Sequence, residues 1–230
     1  MPRAIVVGAS DGIGLVVAQK LVDASWDVLS VSRRASPIEH ARHRTAVLDV
    51  RDPGYRRALS TFVEADGPLD VCIYCAGIGD VLDPATMQPE HDVFAVNLLG
   101  AVATGEVVLS RMVAAKRGQF IALSSLADVL ISDETPSYAA SKAGLSTWLS
   151  GLALALRPHG VTVTNVRFGF VDTKMAKATS RPFMMSADRA ADYVLRAIEA
   201  RPVRLSRPLP MVFLVGLFAR LLRIRLLFTG

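Results

Sequence analysis

The sequence predicts a single doubly wound α/β domain built on a central parallel sheet of about seven strands. Three observations predict it. Short apolar runs alternate with helical patterns from the first residues to about position 200, with no linker between them. Such alternation builds a parallel sheet covered by helices on both faces. The 230 residues suffice for one large domain with a sizeable core. Hydrophobic residues make up 51% and charged residues 20%, which excludes a disordered chain.

The elements follow in order. Arg3–Gly8 is a short run rich in β-formers that a glycine ends, and Ile13–Ala24 carries helical spacing. Asp27–Ser32 and Thr45–Val50 read as the second and third strands, with a helix over Gly54–Ala65 behind them. Leu69–Cys75 is an apolar fourth strand, followed by one long helix over Glu90–Arg117. Gln119–Ser124 and Val161–Arg167 supply the fifth and sixth strands, separated by a helix over Ser137–Arg157. A helix over Ala187–Ala200 closes the alternating pattern. In such sheets ligands bind beyond the carboxyl ends of the strands, so motifs at strand ends carry the functional information.

The first strand ends in Gly8-Ala-Ser-Asp-Gly12-Ile-Gly14 directly before a helix. Glycines there permit a tight turn and let a pyrophosphate approach backbone N–H groups at the positive helix terminus. Ser10, Asp11 and Ile13 belong to the same turn. The second strand ends in Ser32-Arg33-Arg34. An acidic residue at that place would accept from a ribose 2′-hydroxyl, whereas arginines suit a 2′-phosphate by charge and by bidentate geometry. The expected cofactor is NADP(H) rather than NAD(H). In PSYAASKAG, Tyr138 precedes Lys142 by four residues in an alanine-rich helix, which puts phenol and ammonium side by side. A nearby positive charge favours phenolate, so the pair is a candidate acid and base near neutral pH.

Composition narrows the remaining classes. The net charge is +5, carried mostly by arginines scattered along the chain without a basic run, and we expect no nucleic-acid partner. Cys72 and Cys75 spell C-x-x-C within an apolar strand. Three residues apart on a strand they point to opposite faces, and read as core thiols rather than a metal or disulfide pair. The N-terminus runs straight into a strand without a cleavable secretory signal, which makes a cytoplasmic location the expectation.

Together these motifs resemble the short-chain dehydrogenase/reductase family over nearly all of residues 3–200. GASDGIG matches the family's cofactor turn, and Leu48-Asp49-Val50 the strand end that holds the adenine. Cys75-Ala76-Gly77 matches the tail of its N-N-A-G segment, with Tyr74 and Cys75 where asparagines are commonest. Asn97 in FAVNLLG matches the active-site asparagine, and Ser125, thirteen residues before Tyr138, matches the serine, in preference to Ser124. NVRFGFVDT resembles the segment that flanks the nicotinamide through Gly169, Val171 and Thr173, with Phe168 in place of proline.

The resemblance implies a Rossmann-like NAD(P)-binding domain over residues 1–205, with a substrate loop over 174–186. It implies a carbonyl reductase or alcohol dehydrogenase of a small carbonyl or alcohol substrate, and a homodimer or homotetramer. Tyr138 would give the proton, Ser125 would hold the oxygen, and Lys142 would lower the tyrosine pKa and bind the nicotinamide ribose. Asn97 would hold a water leading to solvent. None of these roles needs a metal. Phe168 would wall the cofactor or substrate pocket.

Met175, Phe183, Met184 and Met185 in the substrate loop suit an apolar substrate. Residues 206–230 form an apolar extension, in which Leu209–Ala219 is uncharged and Arg220, Arg223 and Arg225 follow. That run is too short for a bilayer span, which leaves a lid over the substrate mouth, a subunit interface or an interfacial membrane helix. Two other functional classes stay open: a dinucleotide-sensing regulator without turnover, and a membrane-surface protein that uses the tail.

Overall fold

The structure is a computed structural model that describes residues 1–65, 67–87, 90–175 and 182–226. Seven parallel strands form the sheet: β1 (Arg3–Val7), β2 (Asp27–Ser32), β3 (His43–Val47), β4 (Val71–Tyr74), β5 (Gly118–Ser125), β6 (Val161–Phe168) and an edge strand, Arg204–Arg207. Their spatial order is β3-β2-β1-β4-β5-β6 and then that edge strand. The order reverses between β1 and β4, where Val7 pairs with Val31 on one side and Tyr74 on the other. A crevice for a ligand opens at that reversal.

Two cores follow from the period-two alternation of strand side chains. Ile5, Val7, Cys72 and Tyr74 lie in one core cluster; Ala4, Val6, Val71 and Ile73 lie in the other. The first cluster is covered by α2 (Tyr55–Ala65), α4 (Gly100–Ala114) and α5 (Pro136–Leu156), the second by α1 (Gly12–Asp23) and α6 (Ala187–Ala200). Cys72 packs into the first and Cys75 against the second, so the two thiols do stand on opposite faces. Burial raises both thiol pKa values, that of Cys75 to about 12, and keeps them unreactive at neutral pH.

Three expectations are corrected here. The helix expected over Glu90–Arg117 is divided into α3 (Glu90–Phe94), a wider π-helical turn (Ala95–Leu99) and α4. Tyr74 donates its hydroxyl to the carbonyl of Val96 in that turn at 2.6 Å, so the tyrosine standing at an asparagine position supplies a different polar tie between sheet and helix. The third strand begins earlier and stops at Val47, which leaves Leu48–Val50 beyond the sheet. The seventh strand was not located from sequence because RLSR is polar at an edge, and it runs across the boundary placed at 205/206.

A two-residue pair, β7 (Val171–Asp172) with β8 (Met185–Ser186), ties the segment after β6 to the start of α6. The edge strand, β9, leads into α7 (Leu209–Leu226). That helix packs against β9 and against the short helical turn Leu126–Val129 that follows β5. The extension expected after residue 205 is thus an ordered arm lying over the carboxyl ends of β5 and β6.

Candidate active site

The glycine turn is packed as tightly as its composition requires. Gly8 has φ +87°, and its N–H donates to Val31 O at 2.7 Å. A Cβ on Gly8 would sit 2.5 Å from the Ala76 nitrogen. One on Gly14 would strike the Gly8 carbonyl and come within 3.1 Å of Cys75 Cβ. The turn and Cys75-Ala76-Gly77 therefore lie face to face with no room for a side chain, and only glycine satisfies both. Gly12 has φ +56°, and Asp11 caps α1 by accepting the Gly12 N–H at 2.8 Å. Ser10 and Ile13 are half-buried beside it. Thr173 Cγ2 stands 3.4 Å from where a Gly12 Cβ would be, so the segment after β6 folds back over the turn. A bare backbone cradle at a helix N-terminus fits a pyrophosphate.

The outer rim is charged and exposed. Arg33 and Arg34 point to solvent beyond β2, where Ser32 donates to the Arg34 carbonyl at 2.7 Å. Lys174 reaches the Asp11 carboxylate at 2.6 Å and Arg34 approaches it at 3.9 Å. Lys174 and the Gly12 N–H hold the Asp11 carboxyl below its ordinary range. Asp49, expected at the adenine, is gripped by Arg51 at 2.8 Å, which also lowers its pKa. Arg51 extends to Asp92 at 3.1 Å, a pairing the sequence reading did not single out. Val50 packs at Gly100, where an added Cβ would lie 2.8 Å from Val50 Cγ2.

The floor brings Asn97, Ser125, Tyr138 and Lys142 together. Asn97 is fully buried, accepting from Ile78 N–H at 2.8 Å and donating to Ile78 O at 2.8 Å and Ser141 Oγ at 3.1 Å. A Cβ on Gly77 would lie 3.4 Å from Asn97 Oδ1, 3.6 Å from Lys142 Nζ and 3.5 Å from Met175 Cε. Glycine at this position keeps a space open between amide and ammonium. At Gly79 a Cβ would come within 2.9 Å of the Tyr138 ring, so the same loop runs across the phenol.

Ser125 caps the turn after β5 by accepting the Ala127 N–H at 3.1 Å, donates to Phe168 O at 3.4 Å, and lies beside the Tyr138 phenol. Ser124 faces away, donating to the Lys142 carbonyl at 3.1 Å and pairing with Ser146 at 2.8 Å. Lys142 is 4% exposed and donates to Leu123 O at 2.8 Å. Burial lowers its pKa to about 8, because desolvation penalises the charged ammonium.

The expected lowering of the Tyr138 pKa is not found in this state. Burial raises it, the Ser125 hydroxyl opposes that, and the Asp128 charge raises it further. Lys142 Nζ lies 5.8 Å from the ring centroid and is turned to Leu123 O. Phe168, expected as a pocket wall, is 3% exposed and packs in the core against Tyr193 on α6, with centroids 6.4 Å apart. Met185 is likewise core at 6% exposure, because β8 pairs it with Val171. Met175, Phe183 and Met184 remain exposed, and residues 176–181 of the expected substrate loop lie outside the described residues. Gly169 donates to Arg207 O at 3.0 Å and is covered by the Met211 sulfur of α7.

One charged pair behind the floor escaped the sequence reading. Arg167 on β6 and Asp128 form an ion pair with side chains 9% and 3% exposed, and Ser146 donates to Asp128 at 2.5 Å. A charged residue inside the strand run VTVTNVRF was the available signal, since a buried cation requires a partner.

Comparisons with known proteins agree with this geometry. The pattern described as short chain dehydrogenase matches residues 2–182, and the chain belongs to that family, whose members use nicotinamide cofactors. Over 205 residues the chain is 30% identical to a very-long-chain 3-oxoacyl-CoA reductase of Aspergillus clavatus, covering 81% of this chain and 59% of that reductase. The chain thus spans less than two thirds of that relative's length. It is 31% identical over 220 residues to an uncharacterized oxidoreductase of Myxococcus xanthus, covering 89% of this chain and 87% of the relative. A solved short-chain dehydrogenase from Streptomyces avermitilis superposes with TM-score 0.82 at 22% identity, covering 98% and 95% of the two chains. A 4-hydroxyisoleucine dehydrogenase complexed with NADH gives 0.79 at 17%, covering 90% and 97%. These two likenesses show the fold.

Proposed function

We propose that the chain is an NADP(H)-dependent carbonyl reductase that converts an apolar ketone, of the acyl-chain type, to a secondary alcohol. The observation that carries the reading is the floor: a serine, a tyrosine and a buried lysine gathered beside a loop of glycines, next to a cradle that fits a dinucleotide. When bound, the nicotinamide supplies the hydride for the carbonyl carbon. The chain's own groups handle the oxygen. Ser125 holds it by a hydrogen bond as it gains negative charge, and Tyr138 gives it a proton. A phenol that burial keeps protonated at neutral pH is the form that reduction needs. Lys142 holds the nicotinamide ribose, and its ammonium, released from Leu123 O, favours the phenolate left behind. The space bounded by Gly77, Asn97 and Lys142 takes the water that returns the proton.

Arg33 and Arg34 favour the 2′-phosphate by charge, and Met175, Phe183 and Met184 favour an apolar substrate. The name of the Aspergillus relative points to acyl chains as well. Assembly as a homodimer or homotetramer and a cytoplasmic location complete the reading. The test is a screen of NADPH oxidation against ketones, sugars, quinones and 3-oxoacyl thioesters. We expect the highest kcat/KM on the acyl-chain carbonyls, and higher kcat/KM with NADPH than NADH. Equal use of NADH, or turnover confined to polar sugars, overturns the corresponding part.

A further inference from the structure

We propose that α7 is an interfacial helix that seats the domain on an anionic lipid surface. The helix has two unlike faces. Met211, Val215, Ala219 and Leu222 turn inward, with Ala219 5% exposed and Met211 set on Gly169. Phe213, Leu214, Leu217, Phe218, Leu221 and Ile224 turn outward and are 53–75% exposed. At 3.6 residues per turn these six fall within one arc of about 140°. Six large hydrophobic side chains in one arc, left uncovered by the other described residues, form an interaction face.

Charge decides what covers it. After Glu199 the sequence has no acidic residue, but it has arginines at 201, 204, 207, 220, 223 and 225. Arg220 and Arg223 are exposed on the same helix as the apolar arc. A second copy docked on this face would add its own arginines to these, and α7 carries no acidic residue to offset them. Anionic headgroups above an acyl layer satisfy both features at once: the arc enters the acyl boundary and the guanidiniums meet phosphates.

Spanning is a poor fit, because three arginines stand within the last turns of α7. Glu90–Ala114, whose mean hydropathy of 1.7 also suits a membrane, is half buried in the domain and carries Asn97. The seated orientation brings the carboxyl ends of β5 and β6 close to the bilayer, since α7 packs on the turn after Ser125. Access of a lipid-dissolved ketone would follow, and that consequence alone rests on the proposed function.

The test is flotation of the full chain with phosphatidylglycerol-rich vesicles and with phosphatidylcholine vesicles. We expect about tenfold or stronger partition to the anionic vesicles, weakened by salt and by Arg220→Ser/Arg223→Ser. Leu217→Glu/Leu221→Glu should abolish flotation while preserving the thermal stabilisation given by NADPH, which shows that the fold is intact. Flotation of the wild type is informative whatever the variants do. Failure of the wild type to float on either vesicle overturns the proposal. So does a Leu217→Glu/Leu221→Glu chain that still floats but falls from dimer to monomer, which would make the face a self-interface. None of these readouts depends on turnover.

Discussion

The floor and the rim of the site hold their charges in opposite ways. On the floor Lys142 is 4% exposed, with Leu123 O as its hydrogen-bond partner, and burial moves its pKa to about 8. On the rim Lys174 and Arg34 have side chains 84% and 72% exposed, and they share the Asp11 carboxylate. A charge in low dielectric interacts strongly with every neighbour, whereas an exposed pair is screened and contributes little. The floor is therefore where single substitutions should alter chemistry and stability together, and the rim where they should shift only cofactor preference.

The largest break in that comparison should come from Tyr138→Phe. General acid catalysis contributes roughly 10²–10⁴-fold, so kcat should fall at least about a hundredfold while NADPH affinity by fluorescence titration stays within about threefold. Retention of more than about a tenth of the rate would remove Tyr138 from the chemistry. Arg167→Met comes next. It strands the Asp128 carboxylate, and breaking a buried pair costs about 3–5 kcal/mol, so Tm should drop by roughly 6–20 °C. Should Tm fall by less than about 3 °C, the pair is not a strut of the floor.

Lys142→Met should abolish turnover yet raise stability at pH 7 by about 1–3 kcal/mol. The sign follows from the depressed pKa. Below pH 8 folding buries a charged ammonium, and this cost is fully present. As pH rises from about 8 to the unfolded value near 10.4, the folded lysine loses its proton first and the cost is relieved. The advantage of the methionine variant should accordingly shrink between those pH values in denaturant melts. A gain constant from pH 6 to 11 would contradict the assignment. The smallest effect belongs to the rim: Arg34→Ala should cut the NADPH over NADH preference by about tenfold, or 1.4 kcal/mol, without moving Tm. An unchanged ratio would assign the 2′-phosphate elsewhere.

Much of this site was legible in the chain because its signals are local. GASDGIG announced a turn, and the structure puts a bare backbone cradle there because Gly8 and Gly14 lie against Cys75 and Ala76. The thirteen-residue offset chose Ser125 over Ser124, and in the structure Ser124 donates to the Lys142 carbonyl whereas Ser125 donates to Phe168 O. Residues whose partners lie far along the chain were harder to read. Asp128 and Arg167 meet across 39 positions, Asp11 and Lys174 across 163. Nothing in either neighbourhood names the other member.

The sequence by itself determined the sheet, the glycine turn and the Tyr138–Lys142 face, since period-two strands, glycines with positive φ and an i, i+4 spacing are set by local geometry. Only the tertiary structure decided the electrostatic state of that face. Lys142 looks like a neighbour that would acidify Tyr138, but the fold turns its ammonium to Leu123 O, buries both groups and sets the Asp128 charge near the phenol. A pKa reflects how much water is replaced and by what, and that depends on every element packed around the residue.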